Sequence, residues 1–390
     1  MISMQRNTHT KRLIALILAV LSVLCRLPAP RVSAETLDLP AKAAVLMDQA
    51  TGSVLYEQNA HDLRACASIT KVMTLLLVFE AIKAGTLRYE DVLTTTAHAS
   101  GMGGSDIWLK EGEQMSVDDL IKACVVMSAN DAAVVLAEAV CGTEDAFVQR
   151  MNERAAELGM ADTVFKNCNG LDEDGHVTSA YDVALMSRAL MEHEDILNYT
   201  LIWIDYVRNG ETQLVNTNKL IRSYNGILGL KTGTTGAAGS CISACAERNG
   251  LQLISVILGA DNTNDRFSAA SALLDYGFSN WKTVTPELPP LSDLPVTHGM
   301  TDSVSLEAAE PKSILLPVSG QNTTEVIPEL PESLPAPVLA GQQVGCIRIV
   351  VNGETVEEIP VTAVQDAEAV TFSSAFRYLL GVFWCGTQQA

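Results

Sequence analysis

Residues 239–260 read GSCISACAERNGLQLISVILGA, two long apolar runs joined at Arg248-Asn249-Gly250. Asn-Gly supplies the positive φ angles of a tight turn, so the runs pair as antiparallel strands. A second strand pair is read near the start, where AKAAVLMD and SVLYEQ flank QATG over residues 41–58. Between the two lie helical patterns. One begins at Ser68 and runs to about Ala84, apolar through Ile69, Val72, Met73, Leu75–Val78 and Ile82, with Gly85 in the C′ position. Another covers residues 116–139, opens with Ser116 three residues before Asp119 as a capping box, and breaks near Ser128. NDRFSAASALLDYGF then follows the hairpin as a helix. Strands at both ends with helices between predict an α+β domain on an antiparallel sheet.

The pattern changes at TPELPPLSDLP, which predicts a proline-rich linker over residues 284–295 after a first domain at 35–283. Short alternating strands then predict a small all-β domain over 296–364, with a hairpin turning on Asn352-Gly353. In the last segment, 365–390, Phe376, Leu379, Leu380, Phe383 and Trp384 recur at helical spacing and form an apolar stripe too short to span a bilayer. It reads as an amphipathic anchor at a membrane surface, against the alternative of a helix docked on its own domain; Arg377 is its single cation.

The N-terminus carries an export signal over residues 1–34: Arg6, Lys11 and Arg12, then LIALILAVLSVL, then VSA before Glu35. Its removal takes away five cations and no acids, so the net charge moves from −20 to about −25. Such acidity argues against nucleic acid and against broad adhesion to anionic lipid. Eight cysteines remain beyond Cys25 without a CxxC pair, and the six histidines lack paired-ligand spacing, so neither a metal nor another cofactor is expected.

Three short motifs carry chemistry. In Ser68-Ile69-Thr70-Lys71 the hydroxyl and the ammonium lie one turn apart, and the backbone N–H of Ser68 at a helix start is placed to meet an oxyanion. This pattern is uninformative alone, because Ser279-Asn280-Trp281-Lys282 repeats it at a helix end. Ser128-Ala129-Asn130 follows at the break in a helical region, and Lys231-Thr232-Gly233 stands just before the long hairpin. Ser223-Tyr224-Asn225 is a second S-x-N, too close to Lys231 to form a separate wall. GLKTGTTG is not a phosphate loop, since its lysine precedes the glycine. The ordered set S-x-x-K, S-x-N, K-T-G is specific where each member is not.

With the stretches ASITKVMT, SGMGGSDIWL, VVMSANDAAVVLAE, GHVTSAYDVALMSRAL, NTNKLI and GLKTGTTGAAGSC, the set resembles the serine penicillin-binding proteins and β-lactamases. It is most similar to the low-molecular-weight D-alanyl-D-alanine carboxypeptidases of peptidase family S11. The resemblance implies a helical cluster plus antiparallel sheet in the first domain. It implies removal of the terminal D-alanine from peptidoglycan stem pentapeptides, and β-lactam antibiotics as covalent inhibitors. It also implies a place on the outer face of the bacterial cytoplasmic membrane. Ser68 would be the acylated nucleophile and Lys71 its base; Ser128 and Asn130 would relay the proton and orient the amide. Lys231 would add positive potential, Thr232 and Gly233 would line the edge strand that takes the terminal carboxylate, and Thr234 would join Ser68 in the oxyanion hole. Two positions depart from the family pattern. Cys66 stands where proline is common, either packing or reaching the site, and Thr217 stands where some relatives have a carboxylate-binding arginine.

Other readings remain at this point. A class A β-lactamase needs a deacylating glutamate, and Glu194-Asp195-Ile196-Leu197-Asn198 matches ExxLN but falls past the middle of the interval between the second and third motifs. A transpeptidase or endopeptidase would share the acyl-enzyme. An inert wall-binding module would have lost a motif residue, and none is lost.

Overall fold

The computed structural model describes residues 37–385, so the export signal read over 1–34 lies outside the described residues. Strands β1 (Ala43–Asp48) and β2 (Val54–Gln58) form the N-terminal hairpin. Among the helices in the middle of the domain, four frame the site: α1 (Lys71–Lys83), α2 (Val117–Val126), α3 (Asn130–Cys141) and α4 (Ala180–Met191); Glu144–Glu157 forms a further helix after α3. Strands β3 (Ile227–Thr235), β4 (Gly239–Arg248) and β5 (Leu251–Ala260) then run antiparallel in succession, and α5 (Thr263–Asn280) follows. Asn249 at φ +52° and Gly250 at φ +79° make the tight turn between β4 and β5.

These five strands form one sheet in the order β2-β1-β5-β4-β3, so the start of the domain closes against its end. Val45 faces Val256 across that seam. Strand side chains alternate between faces. Val45, Met47, Ile254 and Val256 enter the core shared with the helical cluster. On the other face Gly277 of α5 lies against Leu46 and Leu253, where a Cβ would overlap both side chains. Covered on both sides, the inner strands are buried along nearly their whole length and mostly apolar, rather than alternating. Strand β3, which carries Lys231-Thr232-Gly233, is an edge and keeps one row of backbone groups unpaired by the sheet.

Helix α1 is buried from Lys71 through Phe79, as its apolar thickness predicts. It starts three residues later than expected: Ala67–Thr70 is a tight 3-10 turn, and the α-helical bonds begin at Lys71. The reason is Ala67, whose φ of +51° is not helical and redirects the chain immediately before Ser68. Ser116 caps α2 by accepting from the Asp119 N–H at 3.2 Å. The break between α2 and α3 falls at Met127–Ala129, with Ser128 left-handed at φ +67°.

Past α5, Trp281–Val284 pairs with Ile314–Pro317. A four-stranded antiparallel sheet follows, ordered Leu306–Ala308, Glu354–Ala363, Gln343–Val351, Thr324–Glu329, with Ile347, Ile349, Ile359 and Val361 in its core. Asn352 and Gly353 turn its central hairpin at φ +52° and +87°. The C-terminal helix spans Phe372–Cys385 and leaves Phe372, Phe376, Leu379 and Leu380 exposed; the side chains of Phe383 and Trp384 lie outside the described ones. No described helix is long and apolar enough to cross a membrane.

Candidate active site

Ser68 rides on the 3-10 turn, and two glycines shape the backbone beneath it. Gly170 sits at φ +87°, and any Cβ there would overlap the Ala67 carbonyl. Gly233 of β3 comes so close that a Cβ would lie 2.8 Å from the Cys66 carbonyl oxygen and 2.9 Å from the Ser68 nitrogen. The Ser68 backbone is therefore wedged between a loop and the edge strand, and only glycine fits at either contact. A non-glycine left-handed residue such as Ala67 costs roughly 1–3 kcal/mol, which this double support offsets.

Lys71 is wholly buried, and its ammonium donates to three oxygens. These are Ser68 Oγ at 3.0 Å, Asn130 Oδ1 at 2.6 Å and the Asn169 carbonyl at 2.6 Å. Burial pushes its pKa down to about 8, with Cys124, Cys168, Asp106 and Asp131 pulling part of the way back. A neutral amine is thus accessible near neutrality, and its lone pair would face the Ser68 hydroxyl.

The second motif forms one wall. Asn130 is fixed by its N–H to the Ser105 carbonyl at 2.6 Å and by Nδ2 to the Gly103 carbonyl at 2.8 Å. Gly104 packs against that amide; a Cβ there would come within 2.8 Å of Nδ2. Ser128 Oγ is buried and, among the described residues, has no hydrogen-bond partner. A buried hydroxyl left unpaired, on a left-handed backbone, is the condition expected of a group waiting for substrate.

The third motif forms the opposite wall. Lys231 is buried, donates to the Thr232 carbonyl at 2.9 Å, and is pushed down to about 7 by burial first and by the charge of Lys71 second. Thr232 Oγ1 donates to Thr217 Oγ1 at 2.7 Å, so Thr217 braces the edge strand at the position where an arginine was considered. Thr234 is exposed, and its Oγ1 accepts from Arg266 at 2.9 Å.

Structure thus gathers Ser68, Lys71 and Asn130 by direct hydrogen bonds and sets Gly233 on the Ser68 backbone. Three contributors were not singled out from sequence. Asn169 acts through a carbonyl and has no side-chain signature. Gly170 follows it, legible only as one glycine among 26. Arg266, a lone cation in the helix after the hairpin, donates to the Gly233 carbonyl at 3.1 Å and holds the edge strand from behind. Its guanidinium is nearly buried, and burial lowers its pKa.

Cys66 packs rather than reaching the site. It is fully buried, its Sγ lies 3.4 Å from Thr70 Oγ1, and burial pushes the thiol up to about 12. Thr70 in turn meets His176 Nε2 at 2.9 Å, while His176 Nδ1 accepts from the Lys166 N–H. Glu194 lines a groove with Phe79, Ile82 and Lys83 at the far end of α1. At 1.5 Å per residue that end is about 18 Å from Lys71, beyond the reach of a deacylating base. The second S-x-x-K is split between the end of α5 and an extended strand, so Ser279 and Lys282 share no helix face, although a groove of about 300 Å³ runs beside them.

Comparison with known proteins agrees with this geometry. Residues 30–262 match the family model described as D-alanyl-D-alanine carboxypeptidase, and residues 287–369 match that of the penicillin-binding protein 5 C-terminal domain. The chain is 38% identical over 348 residues to the D-alanyl-D-alanine carboxypeptidase DacF of Bacillus subtilis, covering 87% of this chain and 89% of that one. It is similar to the crystal structure of penicillin-binding protein 5 from Haemophilus influenzae, with a TM-score of 0.69, 28% identity, and 88% and 99% of the two chains covered. It is also similar to penicillin-binding protein D2 from Listeria monocytogenes in an ampicillin-bound form, with a TM-score of 0.57, 35% identity, and 62% and 99% covered.

Proposed function

The chain belongs to the D-alanyl-D-alanine carboxypeptidase family, and from that premise we propose that it removes the terminal D-alanine from peptidoglycan stem pentapeptides through a Ser68 acyl-enzyme, the reaction of EC 3.4.16.4. The observation that carries the reading is the buried Lys71 amine, in simultaneous hydrogen-bond reach of Ser68 Oγ and Asn130 Oδ1. Neutral Lys71 takes the Ser68 proton as Oγ attacks the carbonyl of the penultimate D-alanine. The backbone N–H groups of Ser68 and Thr234 receive the oxyanion. Asn130 orients the scissile amide, and Ser128 Oγ passes a proton to the departing D-alanine nitrogen. The terminal carboxylate lies along the edge of β3, near Lys231 and Thr232. Water then attacks the acyl-Ser68 ester and frees the shortened peptide. A β-lactam enters the same way, because its strained amide stands in for the D-alanyl-D-alanine bond.

The chain is placed outside the cytoplasmic membrane by its N-terminal signal and held there peripherally by the C-terminal helix. Supporting the anchor are the exposed Phe372, Phe376, Leu379 and Leu380 on a helix too short to span.

Mass spectrometry after incubation with penicillin, followed by a D-alanine release assay on pentapeptide, tests the assignment. A stoichiometric adduct on the Ser68 peptide and stoichiometric D-alanine are expected. An adduct that persists in Ser68→Ala would overturn it.

A further inference from the structure

Trp108 combines two features that rarely meet. Its backbone is left-handed at φ +56°, a region that a bulky L residue enters only at a cost, and its side chain is 73% exposed. Both flanking residues, Ile107 and Leu109, are buried. The peptide units around it are fastened on every side. Asp131 accepts from the Ile107 N–H at 3.2 Å and the Leu109 N–H at 2.9 Å. Arg208 donates to the Ile107 carbonyl at 2.8 Å and the Trp108 carbonyl at 3.4 Å, and is itself held by Glu113 at 2.6 Å. The fold thus immobilises the backbone while gaining little from the ring it displays. Strain retained at an exposed aromatic points to a partner outside the chain.

The same loop reaches the catalytic wall. Gly103 and Ser105 hold Asn130, and Asp131, the next residue along α3, holds both sides of Trp108. Trp108 lies three positions after Ser105, at most about 11 Å of chain. Beside the ring runs a groove of about 650 Å³ whose wall includes Lys110, Glu111 and Arg208. A single aromatic face with charged donors and acceptors of both signs does not resemble the contiguous apolar patch of a protein interface. It suits a sugar ring, whose C–H face stacks on an indole while its hydroxyls reach the rim.

We propose that Trp108 and this groove bind the amino-sugar moiety to which the stem peptide is attached, so that the enzyme favours saccharide-linked pentapeptide over free peptide. The inference rests on the carboxypeptidase reading and adds a subsite to it. Four residues lie between the scissile bond and the sugar, about 13–14 Å when extended, enough to pass the roughly 11 Å of loop between Ser105 and Trp108.

The test compares kcat/KM for D-alanine release from free pentapeptide and from disaccharide-pentapeptide. Trp108→Gly is the informative variant, since glycine accepts φ +56° without cost and the loop keeps its course. Wild type should prefer the saccharide substrate by about tenfold or more, mainly through KM. In Trp108→Gly that ratio should fall to about one, and Trp108→Tyr should lie between. Equal kcat/KM on the two substrates in wild type overturns the proposal, as does a preference that survives in Trp108→Gly or an equal loss on both substrates. A concentration-dependent dimer that Trp108→Gly abolishes, seen by sedimentation, also overturns it, because the ring would then serve a second copy of the chain. Release of D-alanine from free pentapeptide separates this outcome from failure of the carboxypeptidase reading, which would show no release from either substrate.

Discussion

Replacing Gly233 by alanine tests the wedge beneath Ser68. Gly233 has no positive φ to relieve, so the substitution acts through space alone. The added methyl would stand 2.8 Å from the Cys66 carbonyl oxygen, 2.9 Å from the Ser68 nitrogen and 3.1 Å from Ala67 Cβ. Ordinary contact is near 3.5 Å, so strand and turn must part by about half an ångström. Two of the three contacts are backbone, and the turn is already held from behind by Gly170, so the displacement falls on the Ser68 N–H and on the reacting oxygen. Loss of one oxyanion donor costs about 10²–10³ in rate, and misplacement of reacting groups on the 1 Å scale costs about 10². A fall of about 10²-fold in the second-order rate of penicillin acylation is therefore expected, with overpacking costing about 1–3 kcal/mol of stability. Gly236→Ala is the control, since Gly236 lies in the same K-T-G-T-T-G run with nothing within 4 Å of its would-be Cβ. Stopped-flow acylation with a fluorescent penicillin reads both variants. Acylation of Gly233→Ala at the wild-type rate, or an equal loss in Gly236→Ala, would refute the reasoning.

Other consequences follow from the same interior. Because burial lowers Lys71 to about 8, the acylation rate should climb with pH along a limb centred near 8 rather than near 10.5, and Lys71→Met should abolish it. The folded pKa lies below the unfolded one, so the unfolded chain binds more protons between pH 8 and 10.5, and stability gains from this group as pH rises through that window. The gain is about 3 kcal/mol, read as the difference in urea midpoints between wild type and Lys71→Met, which should shrink at low pH in favour of the variant. Cys66, buried with its thiol near 12, should resist iodoacetamide in the native protein at pH 8 and react once unfolded; peptide mapping that finds Cys66 alkylated natively would contradict its packing role. Glu194→Gln should leave penicillin deacylation within about twofold of wild type, because Glu194 lines a groove at the opposite end of α1 from Lys71, a helix about 18 Å long; a large loss would restore the lactamase reading.

Much of the architecture was legible before any coordinates. The hairpins at Asn249-Gly250 and Asn352-Gly353 turn as read, because a left-handed Asn-Gly pair is a property of the two residues themselves. The buried helix after Ser68, the cap at Ser116 and the break at Ser128 are also local matters of side-chain size and hydrogen-bond chemistry. The three motifs announced a site because their order along the chain is improbable by chance. Less legible were the 3-10 start at Ala67, the role of Cys66 and the brace at Thr217, each decided by what lies across the site rather than along the chain.

The sequence by itself determined the strand pairs, the helices and the residue types available for acyl transfer, since these depend on neighbours within a few positions. Tertiary structure alone decided which groups meet. The third acceptor of Lys71 is a carbonyl, the support under Ser68 is the absence of a Cβ at Gly170 and Gly233, and the lowered lysine pKa comes from surrounding volume. Even a glycine's missing Cβ becomes a support only because Cys66, Ala67 and Ser68 pack against it in the folded chain. Backbone carbonyls are common to every residue, and burial is a property of the folded chain, so only the packed molecule sets a lysine of lowered pKa against the Ser68 hydroxyl at 3.0 Å.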